Sequence, residues 1–284
     1  MKIGVAGLGA LGKPLAEKLA EKQGSVMVYN RSSEKSQGME KQGILVAENF
    51  SQLCTYSEVI IFMVKDSLAI NQLIDTLDGF DGMGKTIIQM GTIEPDQSVE
   101  LKEKVEKLGF EYMEAPVLGS IPDIRSEKLI TLVGSTKEQF EKWRPLFINF
   151  GQEIHYIGIV GKASSIKLAL NHLIAALTAS FSLSLNLIRK SGVDVEQFME
   201  ILRKSALYAP TFDKKLNRML EGNYDSPNFS ALNMLKDVNL IKSLMGKYNL
   251  ETSTLTGLEK ILENTINKGF SDKDYSSLYE GTKL

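Results

Sequence analysis

The sequence contains few of the residues that form disulfides or bind metals: there is one cysteine, Cys54, and there are two histidines among 284 residues. A single cysteine excludes an internal disulfide and favours a reducing compartment, so we expect a cytoplasmic protein. Cys54 itself is expected to be a small buried apolar residue rather than a reactive thiol. Neither His155 nor His172 has a set of Cys, Asp or Glu partners at ligand spacing, and the sequence therefore predicts no metal site.

An excess of charge of either sign is also absent. The 33 Lys and Arg residues nearly balance the 35 Asp and Glu residues, which leaves a net charge of −2. This composition gives no reason to expect a nucleic-acid or anionic-membrane partner. No signal peptide is expected, because an apolar strand interrupted by glycines begins almost at Met1. The apolar run 168–188 contains Asn171, His172 and Asn186, which favours a helix buried between protein layers over a membrane span.

Two kinds of pattern divide the chain. The first half alternates continuous apolar runs, typical of strands buried on both faces of a mostly parallel sheet, with amphipathic helical segments. After about Gly161 only helical segments follow, near 162–190, 194–204, 211–221, 229–248, 254–268 and 274–281. The sequence thus predicts an α/β protein: a Rossmann-type, doubly wound, mostly parallel sheet in residues 1–161, then an all-helical domain in residues 162–284. The predicted strands are Ile3–Ala6, Ser25–Asn30, Val59–Val64, Thr86–Gln89, Phe110–Glu114, Leu129–Val133 and Glu153–Ile157.

A glycine-rich loop, Gly7-Leu8-Gly9-Ala10-Leu11-Gly12, follows the first predicted strand and leads into a predicted helix over Pro14–Gln23. In this context the pattern Gly-x-Gly-x-x-Gly predicts a dinucleotide-binding loop. Gly7 would permit the tight turn, Gly9 the approach of a pyrophosphate, and Gly12 the close packing of helix on strand. The loop amides and the helix dipole would hold the phosphates. The alternative, a glycine-rich turn in another kind of α/β protein, fits this context less well.

The end of the second predicted strand indicates which dinucleotide would bind. An NAD site usually has Asp or Glu there to bind the ribose hydroxyls, whereas this strand is followed by Asn30, Arg31 and Ser32, with Lys35 nearby. The guanidinium of Arg31 could pair with a 2′-phosphate, and Ser32 could add a hydroxyl donor. The sequence therefore favours NADPH over NADH. The alternative is a solvated basic turn without a role in binding.

A possible catalytic group lies at the start of the helical half. Ser164, Lys167 and Asn171 are spaced i, i+3 and i+7 and share one helix face. A lysine at the edge of an apolar run can be desolvated and act as an acid near neutral pH. From the spacing alone, a lysine that merely extends from a helix end into solvent is the better interpretation.

Four separated motifs, in order, resemble those of the β-hydroxyacid dehydrogenase family, which includes 3-hydroxyisobutyrate dehydrogenases, tartronate semialdehyde reductases and glyoxylate/succinic semialdehyde reductases. The first is the glycine loop. The second, Glu-Ala-Pro-Val-Leu-Gly-Ser at 114–120, is similar to the family's substrate loop Asp-Ala-Pro-Val-Ser-Gly-Gly. The third is Gly161 followed by Lys167 and Asn171, similar to the catalytic helix, and the fourth is Lys-Asp-Val-Asn-Leu at 236–240, similar to a cofactor element.

The resemblance implies roles for individual residues. Lys167 would give a proton to a carbonyl oxygen as hydride arrives from the nicotinamide, and Asn171 would orient the lysine and the substrate. Backbone amides of Gly119 and Ser120 would bind a substrate carboxylate beside Leu118. Further residues would contact the cofactor or fix the geometry near it. These are Met63, Val64, Lys65, Thr92 and Lys236 at the cofactor and Asp237 for the local geometry. Apart from the resemblance, Phe229 lies on the predicted helical segment after Pro227 and could close over substrate or nicotinamide, with a core position in the helical domain as the alternative.

The chain also departs from the family pattern. Leu118 replaces the usual loop serine, which removes one hydroxyl donor, and Ser120 replaces a glycine. Ala163 replaces a glycine, and His172 replaces the second amide residue of the helix motif. None of these changes affects Lys167, so the chemistry is expected to survive while the substrate is left open. Met234 and Trp143 are expected to be core residues.

The resulting prediction is an NADPH-dependent reductase of a small carboxylate-bearing aldehyde or 2-oxo acid, of the glyoxylate or succinic semialdehyde type, with Asn30-Arg31-Ser32 similar to that branch. The alternatives are an NAD-dependent 3-hydroxyisobutyrate or tartronate semialdehyde-type dehydrogenase, an imine reductase and a non-catalytic cofactor-binding scaffold. Lys167 disfavours the last two. Long apolar helices, above all 168–188, predict a homodimer or homotetramer through the helical domain.

Overall fold

The first half of the chain forms one sheet from short runs of apolar residues. The computed structural model describes residues 1–283, and the chain divides into two units, Met1–Lys167 and Leu168–Leu284. The strands are β1 (Ile3–Ala6), β2 (Val26–Tyr29), β3 (Leu45–Val46), β4 (Val59–Phe62), β5 (Thr86–Gln89), β6 (Glu111–Glu114), β7 (Val117–Leu118), β8 (Ile130–Gly134) and β9 (Glu153–Gly158).

The helices connect these strands and then continue alone. In the first unit they are α1 (Gly12–Gln23), α2 (Phe50–Tyr56), α3 (Ser67–Ile74), α4 (Pro95–Glu106), α5 (Ile121–Arg125) and α6 (Lys137–Phe147). The helix α7 (Lys162–Lys190) begins in the first unit and continues into the second. It is followed by α8 (Val195–Lys204), α9 (Pro210–Glu221), α10 (Ala231–Lys247), α11 (Ser253–Thr265) and α12 (Leu278–Gly281).

The strand order is β3-β2-β1-β4-β5-β6-β8-β7, and β9 pairs with β8. The strands from β3 to β6 are parallel, whereas β8 pairs antiparallel with β6 and β7 and parallel with β9. From β1 the chain adds β2 and β3 on one side of the sheet, and then returns to add β4, β5 and β6 on the other side of β1. In sheets of this kind ligands bind outside the carboxyl ends of the strands where the order reverses, here beside β1 and β4.

Alternate residues of the central strands enter two separate cores, which explains why the strands read as continuous apolar runs. In β4, Val59 and Ile61 join the core formed with α1, while Ile60 and Phe62 join the core formed with α2, α3 and α4. All four residues are completely buried. Both faces of the sheet are therefore covered by helices, as the doubly wound prediction requires.

The described residues of the second unit form helices joined by loops, without a strand. Residues of α7 belong to both of its hydrophobic cores. Leu168 and Ala175 pack with residues of α10 and α11, and Phe181 and Leu185 pack with residues of α8 and α9. By length and composition α7 could cross a membrane, but 44% of its most apolar 18-residue stretch is buried within the chain. Leu173, Leu177, Leu183 and Leu187 of this helix remain exposed.

The predicted fold class is confirmed, and the predicted strands and helices correspond to observed ones with small shifts at their ends. The prediction of the strand Glu153–Ile157 is one residue short at its end, since β9 continues to Gly158, whose φ is 130°. The prediction of a helix from 229 is also wrong at its start: Ser230 caps α10 by accepting from the Asn233 amide at 3.2 Å, so Phe229 precedes the helix. Trp143 and Met234 are buried, as predicted.

Candidate functional site

The predicted cofactor residues of the first unit follow four neighbouring parallel strands. The glycine loop follows β1, Asn30–Lys35 follows β2, Met63–Lys65 follows β4, and Gly91 and Thr92 follow β5. Because the carboxyl ends of parallel strands meet at one edge of a sheet, all four segments lie along the same edge. This edge is where the sequence predicts a dinucleotide.

The glycine loop has the geometry that its sequence predicts. Gly7 has a φ of 100°, and a Cβ there would lie 2.5 Å from the Met63 carbonyl oxygen, so only glycine fits between β1 and β4. At Gly12 a Cβ would lie 2.0 Å from the Gly7 oxygen, which is why α1 can start directly against the loop. At Gly9 no other atom lies within 4 Å of that position. The open space at Gly9 fits a pyrophosphate placed against the backbone and the N-terminus of α1.

Asn30 joins the glycine loop to the turn that follows β2. Its Oδ1 accepts from the Leu8 amide at 2.9 Å, and its Nδ2 donates to the Ser32 carbonyl at 2.9 Å. Asn30 therefore positions both segments through its side chain. The sequence predicts Asn30 as a cofactor residue but does not reveal these two hydrogen bonds.

The three remaining predicted residues after β2 are exposed. Arg31, Ser32 and Lys35 all have open side chains, and the first two follow Asn30 directly at the end of the strand. No acidic residue occupies positions 30–32. The turn thus presents cationic and hydroxyl groups, and no acidic group, directly after β2.

The segments after β4 and β5 contribute the remaining predicted cofactor residues at this edge of the sheet. Met63, Val64 and Thr92 are partly buried, and Lys65 is exposed. The Gln89 side chain holds the next turn, because its Oε1 accepts from the Gly91 amide at 2.6 Å and its Nε2 donates to the Gly91 carbonyl at 3.2 Å. This fixes the turn that presents Thr92.

The predicted substrate loop is bonded to a carboxylate of α5, Asp123, that the sequence argument did not include. The Ser120 amide donates to Asp123 Oδ2 at 2.7 Å, and the Ser120 hydroxyl donates to the same oxygen at 2.6 Å. Gly119 is exposed with a φ of 138°, and Leu118 is partly buried at the end of β7. The spacing Ser-x-x-Asp before a helix is a capping signal that could have identified the contact.

Glu114 anchors the predicted catalytic helix. Its Oε1 accepts from the amides of Gly161 at 2.8 Å, Ala163 at 2.9 Å and Ser164 at 3.2 Å, and its Oε2 accepts from the Ser164 hydroxyl at 2.6 Å. The carboxylate is almost fully buried and meets the positive end of α7, where an anion is stabilised by the helix dipole. A Cβ on Gly134 would lie 2.5 Å from Glu114 Oε1, so the glycine makes room for this contact. The sequence had placed Glu114 only in the substrate loop.

Lys167 and Asn171 lie one turn apart on α7. Lys167 is partly buried at the end of the first unit, three residues after Ser164. Asn171 is buried in the second unit and donates through Nδ2 to Asp237 Oδ2 at 2.6 Å. The Lys236 ammonium lies 2.9 Å from the other oxygen of Asp237, as an ion pair. The predicted cofactor element around Lys236 thus orients the Asn171 amide.

Among residues 1–283, the other side chains that could bind a metal or act as a nucleophile do not form a second candidate site. Among residues 1–283 no group of three His, Cys, Asp or Glu side chains is placed to hold a metal. Cys54 is fully buried, and burial raises the pKa of its thiol to about 12, so it is not a nucleophile at neutral pH. Phe229 is partly buried and packs its ring against Tyr275, with centroids 5.9 Å apart.

Comparison with known families covers both units. A family model that describes the NAD-binding domain of 6-phosphogluconate dehydrogenase matches residues 2–158. A second, which describes the NAD-binding region of NADP-dependent 3-hydroxyisobutyrate dehydrogenase, matches residues 161–281 and therefore includes α7.

Individual relatives are similar over nearly their full length. Glyoxylate/succinic semialdehyde reductase 1 of Arabidopsis thaliana is 27% identical over 287 residues, covering 100% of this chain and 99% of the relative. The mitochondrial 3-hydroxyisobutyrate dehydrogenase of Mus musculus is 27% identical over 293 residues, covering 98% and 86%. The structure of Mycobacterium tuberculosis 3-hydroxyisobutyrate dehydrogenase with L-serine has the same fold, with a TM-score of 0.87 at 17% identity over 100% of this chain and 99% of that chain.

The glycine loop on a doubly wound sheet, followed by a helical unit, defines a class of nicotinamide-dependent oxidoreductases. Within that class, the chain belongs to the β-hydroxyacid dehydrogenase family related to 3-hydroxyisobutyrate dehydrogenase. The family carries out NAD(P)-dependent hydride transfer.

Proposed function

We propose that this protein is an NADP-dependent reductase of a small carbonyl compound and that Lys167 transfers the proton. The observation that carries the proposal is the anchoring of α7 by Glu114. The four hydrogen bonds hold the start of the helix at the carboxyl end of β6, on the sheet edge that bears the glycine loop. Lys167 follows within the first two turns of that helix.

The chemistry needs one hydride and one proton. When bound, the nicotinamide supplies the hydride to the carbonyl carbon. The Lys167 ammonium donates a hydrogen bond to the carbonyl oxygen, stabilises the negative charge that develops there, and gives up its proton as the hydroxyl forms. In the reverse direction the neutral amine takes the proton from the hydroxyl.

Asn171 would orient these groups. Since a carboxylate only accepts hydrogen bonds, the contact with Asp237 Oδ2 requires the NH₂ side of the amide to face Asp237. Asn171 Oδ1 is then turned to the opposite side, as an acceptor for an ammonium or a substrate hydroxyl. Lys236 supports the arrangement by pairing with the second Asp237 oxygen.

The named relatives act on small carboxylate-bearing aldehydes or hydroxyacids. Glyoxylate and succinic semialdehyde are therefore the first substrates to assay. The preference for NADP is supported by the Asn30-Arg31-Ser32 turn, which carries exposed cationic and hydroxyl groups and no acid.

Lys167→Ala tests the proposed function. NADPH oxidation would be followed across short aldehydes and 2-oxo acids, with Lys162→Ala as the matched control because Lys162 is exposed on the same helix. We expect Lys167→Ala to lower kcat by about 100-fold or more, the usual contribution of a general acid, while NADPH affinity by fluorescence titration stays unchanged. Equal turnover by Lys167→Ala and Lys162→Ala would remove Lys167 from the mechanism.

The same assay separates the alternatives. Turnover with NADH in preference to NADPH would favour a dehydrogenase of the 3-hydroxyisobutyrate or tartronate semialdehyde type. Reduction of cyclic imines without reduction of carbonyls would indicate an imine reductase. NADPH binding with no turnover of any carbonyl or imine would indicate a cofactor-binding scaffold.

We further propose a cytoplasmic homodimer or homotetramer that associates through the helical unit. On α7 the side chains of Leu173, Leu177 and Leu187 are 54%, 37% and 66% exposed. Together with the small residues Ser180 and Ser184 they follow the alternating spacing of three and four residues that is typical of a helix–helix seam. A second copy of the same helix is the occupant that this spacing fits.

A further inference from the structure

We propose that Glu127 is a positioning residue, which joins the end of the short helix α5 to α1 and so fixes the loop 118–120 relative to the glycine loop. This inference rests on the proposed function and on the predicted role of the loop 118–120 as the substrate loop. It adds a residue that lies outside all of the predicted motifs. The residues that carry it belong to the first unit.

The backbone of Glu127 has a conformation that is unfavourable for a residue with a side chain. Its φ is 57°, in the left-handed region where glycine is favoured. The turn follows α5 directly, and the Glu127 amide donates to the Ile124 carbonyl at 3.2 Å. A glycine would form the same turn with less strain. The reason for a glutamate here therefore lies in its carboxylate rather than in the turn.

The carboxylate of Glu127 binds two lysines of α1. Its Oε1 lies 2.9 Å from the Lys18 ammonium and 3.0 Å from the Lys22 ammonium. The Lys18 side chain is only 11% exposed, so water screens this pair less than it screens a pair on an open surface. Hydrogen bonds from Lys18 and Lys22 hold the pKa of Glu127 below its ordinary value, and the hydrogen bond to Glu127 raises the pKa of Lys18. All three groups are thus charged at neutral pH, and their contact forms an α1–α5 tie.

The short helix α5 connects this tie to the loop 118–120. Ile124 in the middle of α5 is fully buried, in the hydrophobic core to which α1 also contributes. At the start of α5 the amide and the hydroxyl of Ser120 both donate to Asp123 Oδ2, at 2.7 and 2.6 Å. The loop is therefore held to one end of α5, and Glu127 holds the other end to α1.

The α1–α5 tie sets the substrate loop relative to the cofactor loop, because α1 begins at the last glycine of the glycine loop. A loop that moves is in its binding position for only part of the time, and the apparent affinity for the substrate falls by that fraction. Once the substrate is bound, the loop is in place with or without the tie, so the chemical step is unaffected. Loss of the Glu127 charge should therefore raise KM and leave kcat nearly unchanged.

Glu127→Gln removes the charge and keeps the size of the side chain. In the NADPH-dependent reduction of succinic semialdehyde we expect KM for the aldehyde to rise by about five- to tenfold and kcat to change by less than about twofold. Asp75→Asn is the matched control, because it neutralises a carboxylate at the end of α3 that pairs with Lys104 of α4 at 2.6 Å. Its KM should equal that of the natural protein. Equal KM values for Glu127→Gln and Asp75→Asn overturn the inference.

Two further variants distinguish the tie from the turn. Glu127→Gly favours the left-handed backbone but lacks the carboxylate, so its KM should rise as in Glu127→Gln. A natural KM for Glu127→Gly would mean that the position serves only the turn, against the inference. Lys18→Met combined with Glu127→Gln should have the KM of Glu127→Gln alone, because both changes break one contact. Effects on KM that multiply would show that the two side chains act separately and would reject the tie.

Amide hydrogen exchange separates failure of this inference from failure of the proposed function, because it requires no substrate. In the presence of NADP, we expect the segment 118–120 of Glu127→Gln to exchange about five- to tenfold faster than in the natural protein, while β5 exchanges at the same rate in both. Faster exchange without reduction of any carbonyl would reject the reductase and support the tie. Equal exchange in the two proteins, with carbonyl reduction intact, would reject the role of Glu127 alone.

Discussion

Arg31 is the exposed side chain on which the proposed preference for NADP depends. The turn after β2 is held in place by Asn30, which bonds to Leu8 on one side and Ser32 on the other. Arg31 stands between these two fixed points, so its guanidinium is presented from a well-defined backbone. A planar guanidinium can form two parallel hydrogen bonds to a phosphate and gains little from ribose hydroxyls.

Arg31→Ala should therefore reduce the use of NADPH selectively. We expect kcat/KM for NADPH to fall by about 10- to 100-fold, the equivalent of one lost hydrogen-bonded charge pair, while the value for NADH changes little. Arg125→Ala, which removes another exposed arginine of the first unit, should change neither. Equal losses with both cofactors would show that Arg31 does not recognise the 2′-phosphate.

At the scale of elements, the lengths of the segments decided which of them the sequence could predict. Continuous apolar runs such as β4, and helices such as α1 and α7 that are long enough to show a period, are predicted close to their observed bounds. The two-residue strands β3 and β7 and the five-residue helix α5 were missed, because so few residues carry no period. The anchoring of α7 was missed for a different reason, since Glu114 lies 47 residues before the amide that it binds.

Glu114→Ala should destabilise the protein strongly. It would leave the amides of Gly161, Ala163 and Ser164 and the Ser164 hydroxyl without their acceptor, so we expect the free energy of unfolding to fall by about 3 kcal/mol or more. Glu111→Ala is the control in the same strand, because it removes an exposed ion pair with Lys142 and one hydrogen bond from the Thr86 hydroxyl, and it should cost about 1 to 2 kcal/mol. Urea denaturation measures both. If the two variants lose the same stability, the carboxylate does not hold the helix.

At the scale of the whole molecule, the exposed face of α7 is the main feature that a single chain leaves uncovered. The helix is apolar on nearly all sides, yet less than half of its most apolar 18-residue stretch is buried within the chain. The sequence predicted self-association from this composition. The structure adds which residues of the helix remain exposed.

Replacing Leu173 and Leu177 together by Glu should break the proposed association. We expect light scattering to give at least twice the 31.5 kDa chain mass for the natural protein and the single-chain mass for the double variant at micromolar concentration. Leu68→Glu is the control, because Leu68 is 67% exposed on α3 in the other unit and should leave the mass unchanged. A single-chain mass for the natural protein would contradict the prediction.

Local sequence patterns are enough to predict the doubly wound sheet, the helical second half and the glycine loop at the carboxyl end of β1. Each of these depends on residues close together in the chain, where hydrophobic period and glycine spacing act directly. The contacts of Glu114 with the start of α7, and of Asp237 with Asn171 66 residues earlier, are seen only in the folded chain. Hydrogen bonds between distant segments leave no periodic trace in a single sequence, because they depend on how strands and helices are brought together after they form.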